Sequence, residues 1–71
     1  MAESVYKVIE LVGTSNESWE KAAAVAIERA SQTLRDLRVV HIVEQDVHIE
    51  PGKSFTYRVK MEISFKYEGG D

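Results

Sequence analysis

Cysteine is absent from the 71 residues of this chain, which excludes disulfide bonds and zinc sites built on thiolates. Long apolar runs are absent too: none approaches the roughly 20 residues that a membrane-spanning helix needs, so no membrane partner is expected. Basic residues form no stripe, because 9 Lys and Arg are mixed with 12 Asp and Glu to a net charge of −3. A nucleic-acid partner is therefore not expected either.

The N-terminal residues Met-Ala-Glu-Ser lack the charged-then-apolar pattern of a secretory signal, which predicts a cytoplasmic protein. A chain of this length predicts one small domain, residues 1–71, whose own core supplies only roughly 3–5 kcal/mol. Proteins of this size usually gain further stability from disulfides, metals or oligomerisation. With disulfides excluded, association between copies of the chain is the expected support.

The first predicted strand, residues 4–12, is apolar on both of its faces. Because side chains alternate along a strand, its apolar residues divide between the two faces. They are Val5, Ile9 and Leu11 on one face, and Tyr6, Val8 and Val12 on the other. The chain has one candidate helix, which can cover only one face of a small sheet. The second apolar face therefore predicts contact with other copies of the same chain.

A helix is predicted for residues 17–37, where Gly and Pro are absent and Ala22–Ala24 favours helix formation. Thr14 or Ser15 is predicted to cap its N-terminus, and Thr14 with Glu17 fits the spacing of a capping box. Small and apolar residues recur with the spacing of one buried helical stripe. They are Trp19, Ala22, Ala23, Ala26, Ala30, Thr33, Leu34 and Leu37.

Two strands follow the helix. Residues 38–50 are rich in β-branched side chains, and Pro51–Gly52 suits the centre of the turn over residues 50–54. Residues 55–67 alternate apolar and polar side chains, and residues 69–71 are predicted to form a frayed tail. This order predicts an α+β fold of the β-α-β-β type, with a three-stranded antiparallel sheet wrapped around one helix.

Charged residues on the two later strands form the candidate site. On a regular strand Glu44, Asp46 and His48 share one face with Val40 and Ile42. If the hairpin is centred on residues 51–53, the expected cross-strand pairs are Thr56–His48, Arg58–Asp46 and Lys60–Glu44. One interpretation of these pairs is a ladder of opposite charges, in which each pair contributes about 0.2–1 kcal/mol.

The other interpretation is a hard-cation site built from Glu44, Asp46 and Glu62. Carboxylate oxygens suit Ca²⁺ or Mg²⁺, and repetition around a symmetry axis supplies the ligands that one subunit lacks. Glu62 lies diagonal to Glu44 in the register above. A register shifted by two residues would set these two carboxylates directly opposite each other, and a cation would relieve their repulsion.

Catalytic chemistry has no candidate residues. His41 and His48 are separated by an odd number of positions, so a regular strand places them on opposite faces and they are not expected to share a metal. Neither histidine belongs to a motif with a nucleophile and an acid. Gly13–Ser15 lacks the further glycines and the lysine of a phosphate-binding loop. The chain is therefore not expected to be an enzyme.

Three local signatures point to a known family. They are the opening strand with its Gly-Thr-Ser helix start, Val5–Ser15; the Ala-x-x-Arg-Ala helix pattern of Ala26–Ala30, followed by Thr33 and Leu34; and the closing strand, Thr56–Phe65. Together they resemble the dodecins, small β-α-β-β proteins that assemble as hollow dodecamers, many of which bind flavin. The resemblance implies a homododecamer that binds a small molecule or an ion.

Two positions depart from the flavin-binding members of that family. Val39 stands where they begin the second strand with a tryptophan that stacks on flavin, and Arg58 stands where they carry a flavin-binding glutamine. Valine has no π face, and arginine cannot accept a hydrogen bond. Val39, Gln45 and Arg58 are the positions equivalent to the family's flavin site.

These features predict a dodecin-like, non-enzymatic binding or storage oligomer with an altered flavin site. Its cargo is expected to be an ion such as Ca²⁺, or a small molecule other than stacked flavin. Two alternatives stay open. In one, Val39, Gln45 and Arg58 keep weakened flavin binding, with FMN favoured over riboflavin because Arg58 pairs with the phosphate. In the other, the oligomer is purely structural.

Overall fold

Three strands and one helix make up the structure, a computed structural model that describes residues 3–67. Their order is β1 (Tyr6–Ser15), α1 (Trp19–Thr33), β2 (Leu37–His48) and β3 (Thr56–Lys66). The strands form one antiparallel sheet in the order β1-β3-β2. The predicted β-α-β-β fold is confirmed. The predicted tail at residues 69–71 lies outside the described residues, and no helix among residues 3–67 is long and apolar enough to cross a membrane.

The start of the helix differs from the prediction. Ser18 is the N-cap, and its Oγ accepts a hydrogen bond from the Lys21 N–H at 3.0 Å. Thr14 and Ser15 are the last residues of β1, because the ladder with β3 continues as far as the Ser15–Tyr57 pair. The Ser15 hydroxyl instead accepts from the Glu17 N–H at 2.9 Å, which shapes the turn before the helix.

The end of the helix also comes earlier than predicted, at Thr33 instead of residue 37. Leu34 is already extended, although its N–H still donates to the Ala30 carbonyl at 2.9 Å. Asp36 then has a left-handed backbone with φ of 59°, a conformation that aspartate tolerates better than most residues. The left-handed Asp36 turns the chain so that Leu37 begins β2. Residues 34–37, which the sequence pattern assigned to the helix, therefore lie in the connection and the start of the strand.

The core lies between α1 and one face of the sheet. Three alanines of the helix, Ala22, Ala26 and Ala30, pack against the central strand β3. The β3 residues that they meet are Val59, Met61 and Ile63, each at most 1% exposed. The predicted alternation of β3 and the alanine stripe of the helix are both confirmed.

Strand β1 is apolar on both faces, as predicted. Ile9 and Leu11 pack against the core, whereas Tyr6, Val8 and Val12 stay exposed on the opposite side of the sheet. We call this side, which faces away from α1, the outer face. One helix leaves the outer face uncovered.

Strand β2 carries two register shifts, between Leu37 and Val39 and between Ile42 and Glu44. An extra residue in one strand reverses which face the following side chains take. Ile42 therefore pairs with Met61 and faces the helix side, while Glu44 pairs with Lys60 on the outer face. The expectation that Val40 and Ile42 share a face with Glu44, Asp46 and His48 was wrong for this reason.

The helix lies very close to the sheet at Gly13 of β1. A Cβ atom added there would overlap the Ala22 carbonyl oxygen and lie 3.0 Å from the Ala26 Cβ. Because the obstruction is helix backbone, it cannot move aside as a flexible side chain would. The absence of a side chain at Gly13 sets the distance between α1 and the sheet.

We expect Gly13→Ala to destabilise the fold by about 1–3 kcal/mol, the range for overpacking a tight core. Thermal unfolding followed by circular dichroism measures the effect. Thr14→Ala is the matched control, because Thr14 is exposed and adjacent. Equal midpoints for the two variants would contradict the close approach.

Candidate functional site

A charged depression lies on the outer face, with a volume of about 400 Å³. Each strand contributes to it, since the register of the sheet aligns alternate residues of neighbouring strands on the same side. The lining residues are Glu10 and Val12 from β1, Glu44 and Asp46 from β2, and Arg58 and Lys60 from β3.

The best-defined contact in the depression is a two-pronged ion pair between Arg58 and Asp46. The Arg58 Nε donates to Asp46 Oδ1 at 2.7 Å, and Nη2 donates to Oδ2 at 2.9 Å. Both side chains are about half exposed. The hydrogen bonds from Arg58 hold the pKa of Asp46 below its usual value, and the same contact raises the pKa of Arg58. The predicted Arg58–Asp46 pair is therefore confirmed.

The backbone of Asp46 is held from the helix side by Trp19. The Trp19 Nε1–H donates to the Asp46 carbonyl oxygen at 3.1 Å. The indole also packs edge-on against Tyr57, with 5.1 Å between ring centroids. Trp19 is therefore not the buried stripe residue that its spacing predicts; it is 37% exposed and anchors the strand that carries Asp46.

A second row of charges crosses all three strands next to the depression. Glu10 pairs directly with Glu62, and Glu62 pairs with His41 on its other side. Like charges directly opposite each other are destabilising, and each of the two carboxylates has a nitrogen-bearing side chain beside it. The His41 Nδ1 lies 3.4 Å from Glu62 Oε1, and the Lys60 Nζ lies 4.0 Å from Glu10 Oε2.

Glu10 is the residue of this site that the sequence reasoning missed. Glu10 is two residues from both Val8 and Val12, so the alternation of side chains along the strand places it on the same face as these valines. The signal that was lacking is the β1–β3 register, which brings Glu10 opposite Glu62. No short turn links these two strands, so local sequence does not reveal their alignment.

His41 and His48 lie on the same face of the sheet, although their odd separation in sequence predicts opposite faces. His41 pairs with Glu62 and His48 pairs with Thr56, because the bulge after Ile42 reverses the alternation between them. They remain far apart, since their partners are six residues apart on β3, roughly 20 Å at about 3.3 Å per residue. They share no metal within one chain.

The candidate cation ligands Glu44, Asp46 and Glu62 all lie on the outer face. Glu44 is opposite Lys60, and Glu62 is opposite His41, so the shifted register that would oppose the two glutamates does not occur. Their oxygen donors suit a hard cation. Within residues 3–67 of one subunit, however, no three His, Asp or Glu side chains are close enough together to hold a metal ion. A complete cage requires ligands from more than one copy.

The flavin-site-equivalent residues are dispersed in the subunit. Val39 pairs with Ser64 on the outer face and is 59% exposed. Arg58 lies on that face six residues from Ser64 along β3, roughly 20 Å away. Gln45 pairs with Val59 and therefore belongs to the helix side of the sheet. One subunit does not bring these three side chains together.

The fold defines a small protein in which a three-stranded antiparallel sheet packs on one helix and leaves a charged, partly apolar outer face. The profile of the dodecin family matches residues 5–68, and the chain belongs to that family. It is 51% identical over 63 residues to the calcium dodecin of Mycobacterium tuberculosis, covering 89% of each chain. It is 41% identical over 64 residues to the dodecin of Thermus thermophilus, covering 90% of this chain and 93% of the other.

Solved structures agree with this assignment. The crystal structure of the Mycobacterium tuberculosis calcium dodecin, described as calcium-chelating with a novel calcium-binding site, superposes with a TM-score of 0.85 at 47% identity. The alignment covers 96% of this chain and 97% of the other. The dodecin of Streptomyces coelicolor superposes with a TM-score of 0.87 at 35% identity, over 96% and 97% of the two chains.

The Arg58–Asp46 pair predicts a pH dependence. Because the folded-state pKa of Asp46 is depressed, its contribution to stability is present above the ordinary value of 3.8 and is lost as pH falls through the lower folded value. A carboxyl-detected NMR titration should therefore show Asp46 protonating below that value. In Arg58→Gln the Asp46 pKa should rise towards it, and an unchanged titration would contradict the role of the guanidinium.

Proposed function

We propose that this chain is the subunit of a hollow homododecamer that binds small ligands without catalysing a reaction, and that its principal ligand is a divalent cation, Ca²⁺. The ligands are the outer-face carboxylates Glu44, Asp46 and Glu62, contributed by more than one copy. Two independent features support this proposal: the uncovered apolar surface of β1, and the concentration of carboxylates beside it.

Assembly is supported by the exposure of apolar side chains in the subunit. Val8 and Val12 are 55% and 57% exposed on the outer face, and Tyr6 lies beside them. Burying such surface contributes about 25 cal/mol per Å². The subunit core is small, so burial of this surface on association adds substantially to the stability of the fold.

We expect the protein to behave in light scattering as an assembly much larger than its 8.0 kDa subunit. Val8→Asp should dissociate it, because Val8 lies opposite Ser64 and a carboxylate buried there without a partner costs several kcal/mol in each copy. Lys7→Asp is the control, since Lys7 lies on the helix side of the sheet and is exposed. A stable wild-type monomer or dimer at micromolar concentration would contradict the proposal.

The observation that carries the cation proposal is the direct pairing of Glu10 with Glu62, beside Glu44 and Asp46. Opposed carboxylates weaken a sheet unless positive charge lies near them. Lys60 supplies part of that charge, but its Nζ lies 4.0 Å from Glu10 Oε2, which is longer than a good charge-assisted hydrogen bond. A bound divalent cation satisfies such oxygens more completely, and the 51% identical relative is named a calcium dodecin.

Flavin is the second candidate ligand, supported by the family and by the exposed Arg58 guanidinium, which suits a phosphate. Against it, Val39 offers no ring for stacking. Visible absorption and metal content of the purified protein distinguish the two ligands. We expect bound divalent metal and no flavin absorption. Flavin absorption without metal would favour flavin as the ligand. The absence of both would favour a purely structural oligomer.

We expect Ca²⁺ to raise the thermal midpoint of the assembly. A ligand at 100 times its Kd stabilises the binding state by about 2.7 kcal/mol. Glu44→Gln or Glu62→Gln should remove the shift. Glu20→Gln in the first turn of α1, on the other side of the sheet from the site, should preserve it.

The charge-ladder interpretation predicts a different result. Ion pairs alone give no preference between cations and weaken generally with added salt. If Ca²⁺, Mg²⁺ and Na⁺ at matched ionic strength give the same thermal midpoint, the proposed cation site does not exist. The outer-face charges then only form ion pairs between the strands.

A further inference from the structure

We propose that the tip of the β2–β3 hairpin of one subunit docks in a groove at the free edge of β1 in a second copy, and that an ion pair between Glu50 and Arg29 orients the contact. The inference rests on the assembly that the proposed function requires, and it identifies two surfaces that meet in that assembly. The tip and the groove are different surfaces of the chain, so the contact runs head to tail.

The groove lies where α1 passes beside β1. It has a volume of about 280 Å³ and is lined by residues 11–14 of β1 and by Val25, Ala26 and Arg29 of α1. Because β1 is an edge strand and residues from both of its faces contribute to the lining, the groove lies at the free edge of the sheet. An apolar cavity of about 150 Å³ holds a benzene ring. The groove therefore has room for a phenyl ring and part of an aliphatic side chain.

The edge of β1 beside the groove is unpaired and regular over ten residues. The Tyr67 N–H donates to the Val5 carbonyl oxygen at 2.8 Å, so Val5 and every second residue after it form hydrogen bonds with β3. The backbone groups of Val12 and Thr14 therefore point out of the sheet, towards the groove. A regular, uncovered strand edge is a template for a second chain. Another polypeptide segment is the occupant that this edge fits.

The hairpin tip carries two exposed apolar side chains. Ile49 is 67% exposed and Phe55 is 50% exposed, and both lie just beyond the last ladder pair, His48–Thr56. The Phe55 ring packs edge-on against Tyr57, with 6.4 Å between the ring centroids. This contact holds the ring in a defined orientation before docking, which lowers the entropic cost of an interface.

The tip cannot fill the groove of its own subunit. Val12 of the groove pairs with Lys60, which is five residues from Phe55 along β3, roughly 17 Å at about 3.3 Å per residue. The subunit is elongated, 55 Å long and 21 by 16 Å in the other directions. The tip lies at one end of the sheet, and the groove lies beside the middle of the helix. A second copy is therefore required to bring the two surfaces together.

The charges of the two surfaces are complementary. Arg29 is the one charged residue of the groove lining, and within residues 3–67 no carboxylate lies within 4.0 Å of it. Glu50 of the tip is 51% exposed and lies 3.6 Å from the Lys53 Nζ and 3.7 Å from the His48 Nε2. These distances are longer than good charge-assisted hydrogen bonds. A Glu50–Arg29 pair between copies satisfies both groups and fixes the register of docking.

The first test is charge reversal, followed by sedimentation velocity. Glu50→Arg and Arg29→Glu should each raise the concentration at which half of the subunits are assembled by about fivefold or more, and the two changes combined should restore the wild-type value. Glu28→Arg is the control, because it makes the same change of charge beside Arg29 but outside the groove lining. Failure of the combined variant to recover, or an equal effect of Glu28→Arg, would overturn the inference.

The second test uses the absence of cysteine from the chain. Val25→Cys places a single thiol in the groove, and this thiol should react with a maleimide slowly in the assembled protein and rapidly when Val8→Asp is added to dissociate it. Equal rates would show that the groove is open to some other occupant in the assembly, which would overturn the inference.

Cross-linking tests the direction of the contact. A head-to-tail contact repeats from copy to copy until it closes a ring. The double variant Ile49→Cys with Val25→Cys, treated with a short bismaleimide, should therefore give linked species larger than a dimer on a denaturing gel. Each single variant should give no linked species. Dimers from Val25→Cys alone would show that the groove faces its own counterpart, and this result would contradict the docking of the hairpin.

The outcomes separate this inference from the function on which it rests. If the wild type is a monomer, the proposed assembly and the inference both fail. If the wild type assembles but the groove thiol stays reactive and the double variant forms nothing above a dimer, only the inference is overturned. If the cross-links form as expected and no Ca²⁺ binds, the inference stands and the cation function fails.

Discussion

The close approach of α1 to the sheet is the constraint on which the rest of the subunit depends. Gly13 has no room for a side chain beneath the Ala22 carbonyl, and the facing helix residues are alanines. With so little helix side-chain volume available, the sheet supplies the bulk of the core through Val59, Met61 and Ile63. One short helix therefore suffices for one face, and nothing in the described part of the chain covers the other.

The outer face takes its chemistry from an irregularity in β2. Without the shift between Ile42 and Glu44, a strict alternation would place Glu44 and Ile42 on the same side of the sheet. The extra residue allows β2 to present Val40 to the helix and then Asp46 to the outer face. The bulge thus lets the first half of β2 contribute apolar side chains to the core while the second half places charged side chains on the outer face. Bulges also interrupt the regular edge that β2 would otherwise offer to unwanted strand pairing.

Features set by nearby residues were predictable from sequence. Pro51–Gly52 fixes the hairpin, Gly52 has the positive φ of 78° that glycine favours, and the Arg58–Asp46 pair follows from that turn. The alternation of β3 likewise identified the core. Features set by distant pairing were not predictable in this way. The bulge leaves no mark in a run of β-branched residues, and the Glu10–Glu62 pair depends on strands that are separated by the whole helix.

Under the proposed function, the charges of the depression link cation binding to assembly. Glu10, Glu44 and Asp46 face Arg58 and Lys60, so three carboxylates against two cations leave one uncompensated negative charge in each copy. One exposed charge attracts a divalent cation only weakly, because water and salt screen it over about 8–10 Å. If copies approach within that distance, their residual charges add and their oxygens complete a coordination shell. A cation held in this way binds the assembly and not the subunit, and it stabilises the assembled state in proportion to that preference.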